Sequence, residues 1–487
     1  MGILQVVRTI VHLKPIQVLN RVWRKRPMGD VRREGLPING GGGMVSFPCG
    51  YSVWDGKTKF TFLNETHRVE SSTDWNNPEW KKLWFYNLHY FDCLRQANVD
   101  DAACFRLIAR WIDENPVGVG NGWEPYPISL RVVNWIKWIV RVGGGADGAR
   151  ALPSLVVQVR WLRIRLEYHL LANHLLANAK ALVFAGKFFK GKEADEWYRK
   201  GMAIYRKELP EQVLTDGVHF ERSAMYHLIM LEDVLDCYNF TGEEIFKTYA
   251  AKMLGALRIL VGPDGKIVKF NDAAEGIALP VERVREYARE VGVEEVEEVE
   301  GARTRQSGFV RLEKGDVCVI AKLGEIGPSY QPGHAHADTG TFEMWKGARK
   351  IITDTGTDRY VVDDERKRQR GTAAHNCVMI DGQNSSEVWA GHRVARRARS
   401  LGIGKYRDCH GFEITRRLEL VDSGLKGRDE INGRGEHDVA VRWHLAPGVS
   451  ADEVCVVCRM GDEEVDCATE PCLICAEFGR EVQSAVV

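Results

Sequence analysis

The feature that most constrains this chain is a change of hydrophobic period partway along it. From about residue 80 to 260, apolar residues recur every three or four positions through "LRVVNWIKWIVRV", "LVVQVRWLRIRLEYHLLANHLLANAKALVFAGKFF" and "AMYHLIMLEDVLDCYNF", the spacing of amphipathic helices. Beyond residue 305 the runs shorten and alternate, as in "GFVRLEKGDVCVIAKLG", "GTFEMWKGARKIITDTG" and "FEITRRLELVDSGLKGRDEI", separated by glycine turns; this marks antiparallel strands. Between them, "LVGPDGKIVKFNDAAEG" supplies turn chemistry and "REVGVEEVEEVEG" reads as a helix end and linker. At 487 residues the chain exceeds what one core usually organises. A helical part followed by a β part implies a cleft between them, a common place for a binding site.

Charge excludes little locally but much globally. Lys+Arg 67 against Asp+Glu 67 cancels, so nothing draws the whole molecule to nucleic acid or a membrane. The N-terminal "MGILQVVRTIVHLKPIQVLNRVWRKR" interrupts its apolar residues with Arg8, His12, Lys14 and Arg21, unlike a secretory signal. Its roughly helical spacing fits a helix on a membrane surface or one packed against its own domain, and packing is the expectation. No later segment approaches a transmembrane span. Cytoplasmic placement with reduced thiols is therefore expected for the 12 cysteines. Cys455, Cys458, Cys472 and Cys475 form two C-x-x-C pairs with zinc-ribbon separation. However, residues three apart on a strand point to opposite faces, which favours buried thiols over chelation.

Three stretches carry candidate chemistry. "HLLAN" occurs twice in tandem, His169 to Asn173 and His174 to Asn178; a five-residue shift on a helix turns about 140°, so only one copy can face a given pocket. "HFERSAMYH" places Arg222 four positions before Tyr226, where a cation would make the phenolate easier to form. "YQPGHAHADTG" sets His334 and His336 one residue apart, on one face if the segment is a strand. A metal site, a catalytic base and surface imidazoles all remain open for this pair.

Taken together and in order, "NHLLANAKAL", "ERSAMYH", "GHAHAD", "DTGT" and "TAAHNCVMIDGQNSSEVW" resemble the heparinase II/III-like polysaccharide lyases. Upstream, "LKPIQVLNRVWRK", "KLWFYNLHYFD" and "GWEPYPISLRVVNWIKW" look like the helical domain of bacterial members found with exopolysaccharide genes. The resemblance implies an α+β multidomain fold: an N-terminal incomplete (α/α) toroid over 1–300, then an antiparallel β-sandwich domain over 301–487. It implies β-elimination on an acidic, uronate-containing polysaccharide. Asn173 and His174 would neutralise the uronate carboxylate, while Tyr226 and His334 would move protons. His336, Asp354 and His375 would hold one structural zinc. Arg222, Trp123 and Tyr126 are expected to bind substrate. Family members are often periplasmic. No nucleic-acid partner is expected, and the oligomeric state is left open.

Two departures stand out. Some members carry an acid one turn after the Asn/His pair, where this chain has Ala177, which argues against dual stereospecificity. After "VRWHLAPG" relatives usually continue through more strands, so either a shortened sandwich or a truncated sequence is expected. Two rivals compete. A glycoside hydrolase would need two opposed carboxylates, with Glu124, Glu221 and Asp272 as candidates, and a glycan-binding or assembly protein would need no base at all.

Overall fold

The computed structural model of the chain describes residues 7–8, 10–24, 31–39, 43–47, 53–97, 99–143, 150–296, 306–391, 394–422, 424–454, 457–460, 463–465 and 467–487. The fold is α+β, as the change of period implies. Helix α1 (Pro15–Trp23) and the hairpin β1 (Lys59–Phe62) with β2 (Glu65–Arg68) precede a run of helices. These are α2 (Lys82–Tyr90), α3 (Asp101–Glu114), α4 (Pro125–Val142), α5 (Ala151–Ile164), α6 (Ala172–Phe188), α7 (Lys192–Gln212), α8 (Ala224–Thr241), α9 (Glu244–Ala256) and α10 (Val281–Glu290). Helix α6 packs against α4, α5, α7 and α8. Accordingly its apolar residues surround it, and nearly all of its side chains are buried.

Beyond the helices, β3 (Phe309–Lys314), β4 (Val317–Lys322), β5 (Phe342–Lys346) and β6 (Arg349–Ile352) form an antiparallel sheet in sequence order. Alternation along β4 sends its two faces to different cores. Cys318 and Ile320, with Phe309 and Trp345, join the core of the helices, while Val319 and Ala321 pack with Phe342 and Ile352 on the other side. Short helix α11 (Asp364–Arg370) follows, then β7 (Val378–Ile380), β8 (Arg399–Gly402), β9 (Lys405–Arg407), β10 (Glu413–Val421), β11 (Gly424–Asn432) and β12 (Val439–Val441). The second four-stranded sheet runs β11-β10-β9-β8, and β12 pairs with β7.

The cysteine-rich end forms two separate hairpins, β13 (Cys458–Met460) with β14 (Glu463–Val465) and β15 (Glu470–Glu477) with β16 (Arg480–Val486). Cys455 and the side chain of Cys458 lie outside the described residues. Cys472 and Cys475 both stand on β15, with Cys475 buried.

Two sequence expectations are corrected here. Residues 330–340 form an irregular loop between β4 and β5, not a strand, because the segment is stitched down by side chains instead of a ladder. Arg370 donates to the carbonyls of Pro332 and Ala335, and Asn271 Oδ1 accepts from His336 N at 2.9 Å. Likewise the first "HLLAN" copy straddles the start of α6, which begins only at Ala172, so His169 to Leu171 precede the helix. Thus it is the end of the helix, more than its rotation, that separates the two copies.

Candidate active site

A cavity of about 1940 Å³ lies between the helical and β parts. It exceeds the usual small-molecule pocket of roughly 300–1,000 Å³ and has room for several sugar rings. Tyr126, Asn173, His174 and Tyr226 line it from the helices, and His334 and Tyr360 from the β part.

Local backbone features deliver these groups. Leu171 and Ala172 take left-handed conformations, φ 63° and 49°, turning the chain abruptly into α6 so that Asn173 and His174 occupy its first turn. Ser223 caps α8: its Oγ accepts from Tyr226 N at 3.3 Å and donates to the carbonyl of Asp272 at 2.5 Å. The cap therefore fixes Tyr226 and the Asp272 segment together. Asn271, also left-handed at φ 57°, donates to the carbonyls of Glu221, Arg222 and Ile326 and accepts from Lys322 Nζ at 2.8 Å. Lys322 is itself paired with Asp338 in full burial.

His334 sits at the centre. Its Nδ1 lies 2.8 Å from Asp272 Oδ2, and Asp272 Oδ1 lies 2.7 Å from His336 Nε2. Arg366, on α11, pairs with the same carboxylate at 2.5 Å. Burial would raise the Asp272 carboxyl, but Arg366 and the two imidazoles hold it well below its ordinary range. A charged carboxylate only accepts, so the His334 proton resides on Nδ1 and Nε2 is left as an acceptor. That Nε2 is 3.4 Å from Asn173 Nδ2 and 3.5 Å from Glu221 Oε2.

The Tyr226 ring stacks on His334 with centroids 3.8 Å apart, and its hydroxyl is 3.2 Å from that of Tyr360. Burial pushes the Tyr226 phenol well above its ordinary value, and Tyr360 adds to the shift. It is accordingly a proton donor in the resting site. His174 packs on Tyr126, centroids 4.6 Å apart, with Nδ1 3.3 Å from Glu167 Oε1. Burial lowers His174, but Glu167 outweighs it and leaves the imidazole above its ordinary value. An amide, an imidazole favouring its cation and a helix N-terminus thus converge where an anion would be stabilised.

Asn178, from the second repeat, is fully buried elsewhere; its Nδ2 donates to Ser129 Oγ at 3.0 Å and Glu167 Oε2 at 3.1 Å. Two expected substrate contacts do not reach the cavity. Arg222 precedes α8 in a left-handed turn, and its guanidinium serves the carbonyls of Ser307, Phe220 and Gln306. It therefore does not assist the Tyr226 phenolate. Trp123 is buried between Trp111 and Trp161, donating to the carbonyl of Asn115. The carboxylates considered for hydrolysis are not opposed across a cleft. Asp272 and Glu221 flank one imidazole, and Glu124 pairs with Lys82 and Tyr86.

His336, Asp354 and His375 are all fully buried. His375 Nδ1 lies 3.0 Å from both Asp354 oxygens. The remaining ring nitrogens, His336 Nδ1 and His375 Nε2, have no hydrogen-bond partner, and the two rings are 5.3 Å apart. Two orphaned imidazole nitrogens beside a carboxylate match the donor types zinc takes, although the three residues do not bring their ligand atoms within 4.8 Å of one another. Among the described residues, the trio whose ligand atoms all lie within 4.8 Å of one another is a different one, Asp358, Cys475 and Glu481. Both of its carboxylates already accept from Gln369 Nε2.

Sequence profiles place this geometry in context. "Heparinase II/III N-terminus" matches residues 152–289 and "Heparinase II/III-like, C-terminal" matches residues 298–470. The chain belongs to the heparinase II/III-like family. Curated relatives called heparin-sulfate lyase include one from Bacteroides stercoris, 26% identical over 249 residues, 45% of this chain and 37% of the relative. Another, from Pedobacter heparinus, is 25% identical over 312 residues, 56% of this chain and 47% of the relative. This heparinase II/III-like chain thus matches about half or less of the length of these relatives. Its fold resembles a crystal structure of heparinase III at a TM-score of 0.60 and 16% identity, covering 97% of this chain and 86% of the other. A heparan sulfate lyase from Pedobacter heparinus superposes at a TM-score of 0.53 and 16% identity, covering 97% and 84%.

Tyr360 and Arg366 entered the site without being singled out from sequence, and Asp272 was considered only as a hydrolytic carboxylate, not as the partner of His334. Asp272 lies 62 positions from His334, and no local pattern links them.

Proposed function

We propose that this protein is a polysaccharide lyase that cleaves a uronate-containing glycosaminoglycan or related acidic polymer by β-elimination. The observation that carries the reading is the meeting of Asn173, Tyr226 and His334 in one large cavity walled by both parts of the chain. Elimination needs three services: neutralise the carboxylate, remove the proton at C5, and protonate the departing C4 oxygen.

Asn173 and His174, at the N-terminus of α6, are suited to bind the uronate carboxylate and to strengthen that hold as charge moves onto it. His334 Nε2, with its Nδ1–H committed to Asp272, accepts the C5 proton when that proton faces it. The electron pair of the C–H bond then forms the C4–C5 double bond, the C4–O bond breaks, and Tyr226 gives its proton to the leaving oxygen. Tyr126, packed on His174, offers an aromatic face to a neighbouring sugar.

The finer architecture in this reading is an incomplete (α/α) toroid over 1–300 and a β-sandwich over 301–487. In it, His336, Asp354 and His375 hold a structural zinc that braces the loop carrying His334. Relatives named heparin-sulfate lyase support the substrate class. A screen over heparan sulfate, hyaluronan, alginate and bacterial exopolysaccharides, read by the ultraviolet absorbance of an unsaturated uronate product, tests the proposal. New reducing ends without that chromophore would indicate hydrolysis and overturn it.

A further inference from the structure

Helix α1 is mounted with its polar side against the protein and its apolar side outward. Its inner face is tied by Gln17, which donates to the carbonyls of Tyr330 at 3.2 Å and His169 at 3.5 Å. Asn20 Oδ1 accepts from His169 N at 3.2 Å, and Lys14 pairs with Glu211 while lying 4.0 Å over the Tyr330 ring. The outer face carries Ile16, Val18, Leu19, Val22 and Trp23, which are 41 to 70% exposed. Val11, just before the helix, is 71% exposed. This corrects the expectation that the apolar stripe packs on its own domain. The stripe is real, but the body takes the opposite side of the helix through backbone carbonyls that want polar partners.

An apolar face this concentrated marks an interaction site, and charge decides what covers it. The first 29 residues hold six Lys or Arg and no Asp or Glu, in a chain whose totals balance at 67 and 67. We propose that this face docks on an anionic lipid surface. Leucine, valine and an exposed tryptophan on one side of a helix flanked by basic residues is the composition of an interfacial helix. A second copy of the chain would bring two strongly basic segments face to face, which opposes pairing through this surface. Among the described residues no helix is long and apolar enough to cross a membrane, so attachment would be peripheral. Ile10, Leu13 and Arg21 of this segment also line the large cavity. Docking therefore sets the cavity mouth beside the headgroups, where a polymer held at the membrane would meet it.

The test is co-sedimentation of the full chain with vesicles of mixed phosphatidylglycerol and phosphatidylcholine, compared with phosphatidylcholine alone. We expect binding to the anionic vesicles that weakens with salt, with about tenfold or more lost in the double variant L19E/V22E. Both positions face outward, so its melting temperature should match the parent's. The comparison of the two lipid compositions reads the intact chain without any variant. Failure of the intact chain to bind anionic vesicles overturns the proposal. So does binding that the double variant leaves unchanged, or a concentration-dependent dimer in light scattering that the double variant abolishes.

Discussion

The Tyr226 phenol and the His334 imidazole lie face to face, 3.8 Å between ring centroids, one delivered by a helix and the other by a β-side loop. On the proposed reading, two groups so placed would address the same sugar carbon from one stack. Tyr226→Phe should keep the fold and substrate binding yet lose about two to four powers of ten in kcat. Tyr360→Phe, which removes only the neighbour 3.2 Å away, should cost less than about tenfold. Steady-state kinetics on both variants decides; a Tyr226→Phe enzyme within fivefold of the parent, roughly 1 kcal/mol by the same relation, moves proton transfer elsewhere.

Asn173 and Asn178 should separate turnover from stability. Asn173→Ala removes a contact that matters most once the uronate carboxylate gains enolate character, so kcat should fall far more than KM rises. Asn178→Ala leaves the buried Glu167 and Ser129 groups without their partner and should cost about 1 to 3 kcal/mol in denaturant unfolding. Silence at Asn173 with loss of turnover at a stable Asn178→Ala would reverse the assignment.

The His174–Glu167 pair predicts a definite pH window. Burial lowers His174, but Glu167 outweighs it and raises the folded value above the ordinary 6.5. The stabilisation is therefore complete below 6.5 and is lost as pH rises through the raised folded value. Glu167 moves oppositely: burial raises it, but His174 and Asn178 bring the folded value below the ordinary 4.5. Its contribution is present above 4.5 and lost as pH falls through that lowered value. The same alkaline loss of the imidazolium should raise KM for an acidic polymer. In His174→Gln, KM should be higher at the acid end and its alkaline rise should flatten. An unchanged alkaline limb in that variant would assign it to another group.

Metal is checked directly. Freshly purified, chelator-free protein should carry about one zinc per chain, as a site with three protein donors implies, and His375→Ala should lower zinc content and melting temperature together. Retention of zinc by a variant lacking Cys455, Cys458, Cys472 and Cys475 excludes the ribbon. Protein that contains no zinc sinks the assignment to His336, Asp354 and His375.

The sequence was readable where chemistry is local. The switch of period separated helices from strands, and the junction "NH" at 173–174 was distinguishable from either "HLLAN" unit. Tyr226 was legible from the stretch "ERSAMYH" at the head of a helical run, while the Ser223 cap that fixes it is a finding of the structure. His334 and His336 were legible as a pair but not as a geometry: a shared face holds only for a strand, and instead a loop held by Arg370 and Asn271 brings both to Asp272. Arg222 misled because helical spacing was assumed across a helix start, whereas α8 begins two residues later. Asp272 and Arg366, paired over 94 positions, leave no periodic trace in the chain. Nor could period alone say which face of α1 turns inward, since that depends on the carbonyls of His169 and Tyr330.

The join between Asp272 and His334 has a consequence for when this protein can act. A ribosome releases the carboxylate first, and the imidazole it orients emerges 62 residues later, with Arg366 later still. Until that last stretch has left the exit tunnel and docked, the nascent chain holds a phenol and an amide but no oriented base. On the proposed reading, the site therefore stays without an oriented base for most of its own synthesis, until the segment carrying Arg366 has docked on Asp272.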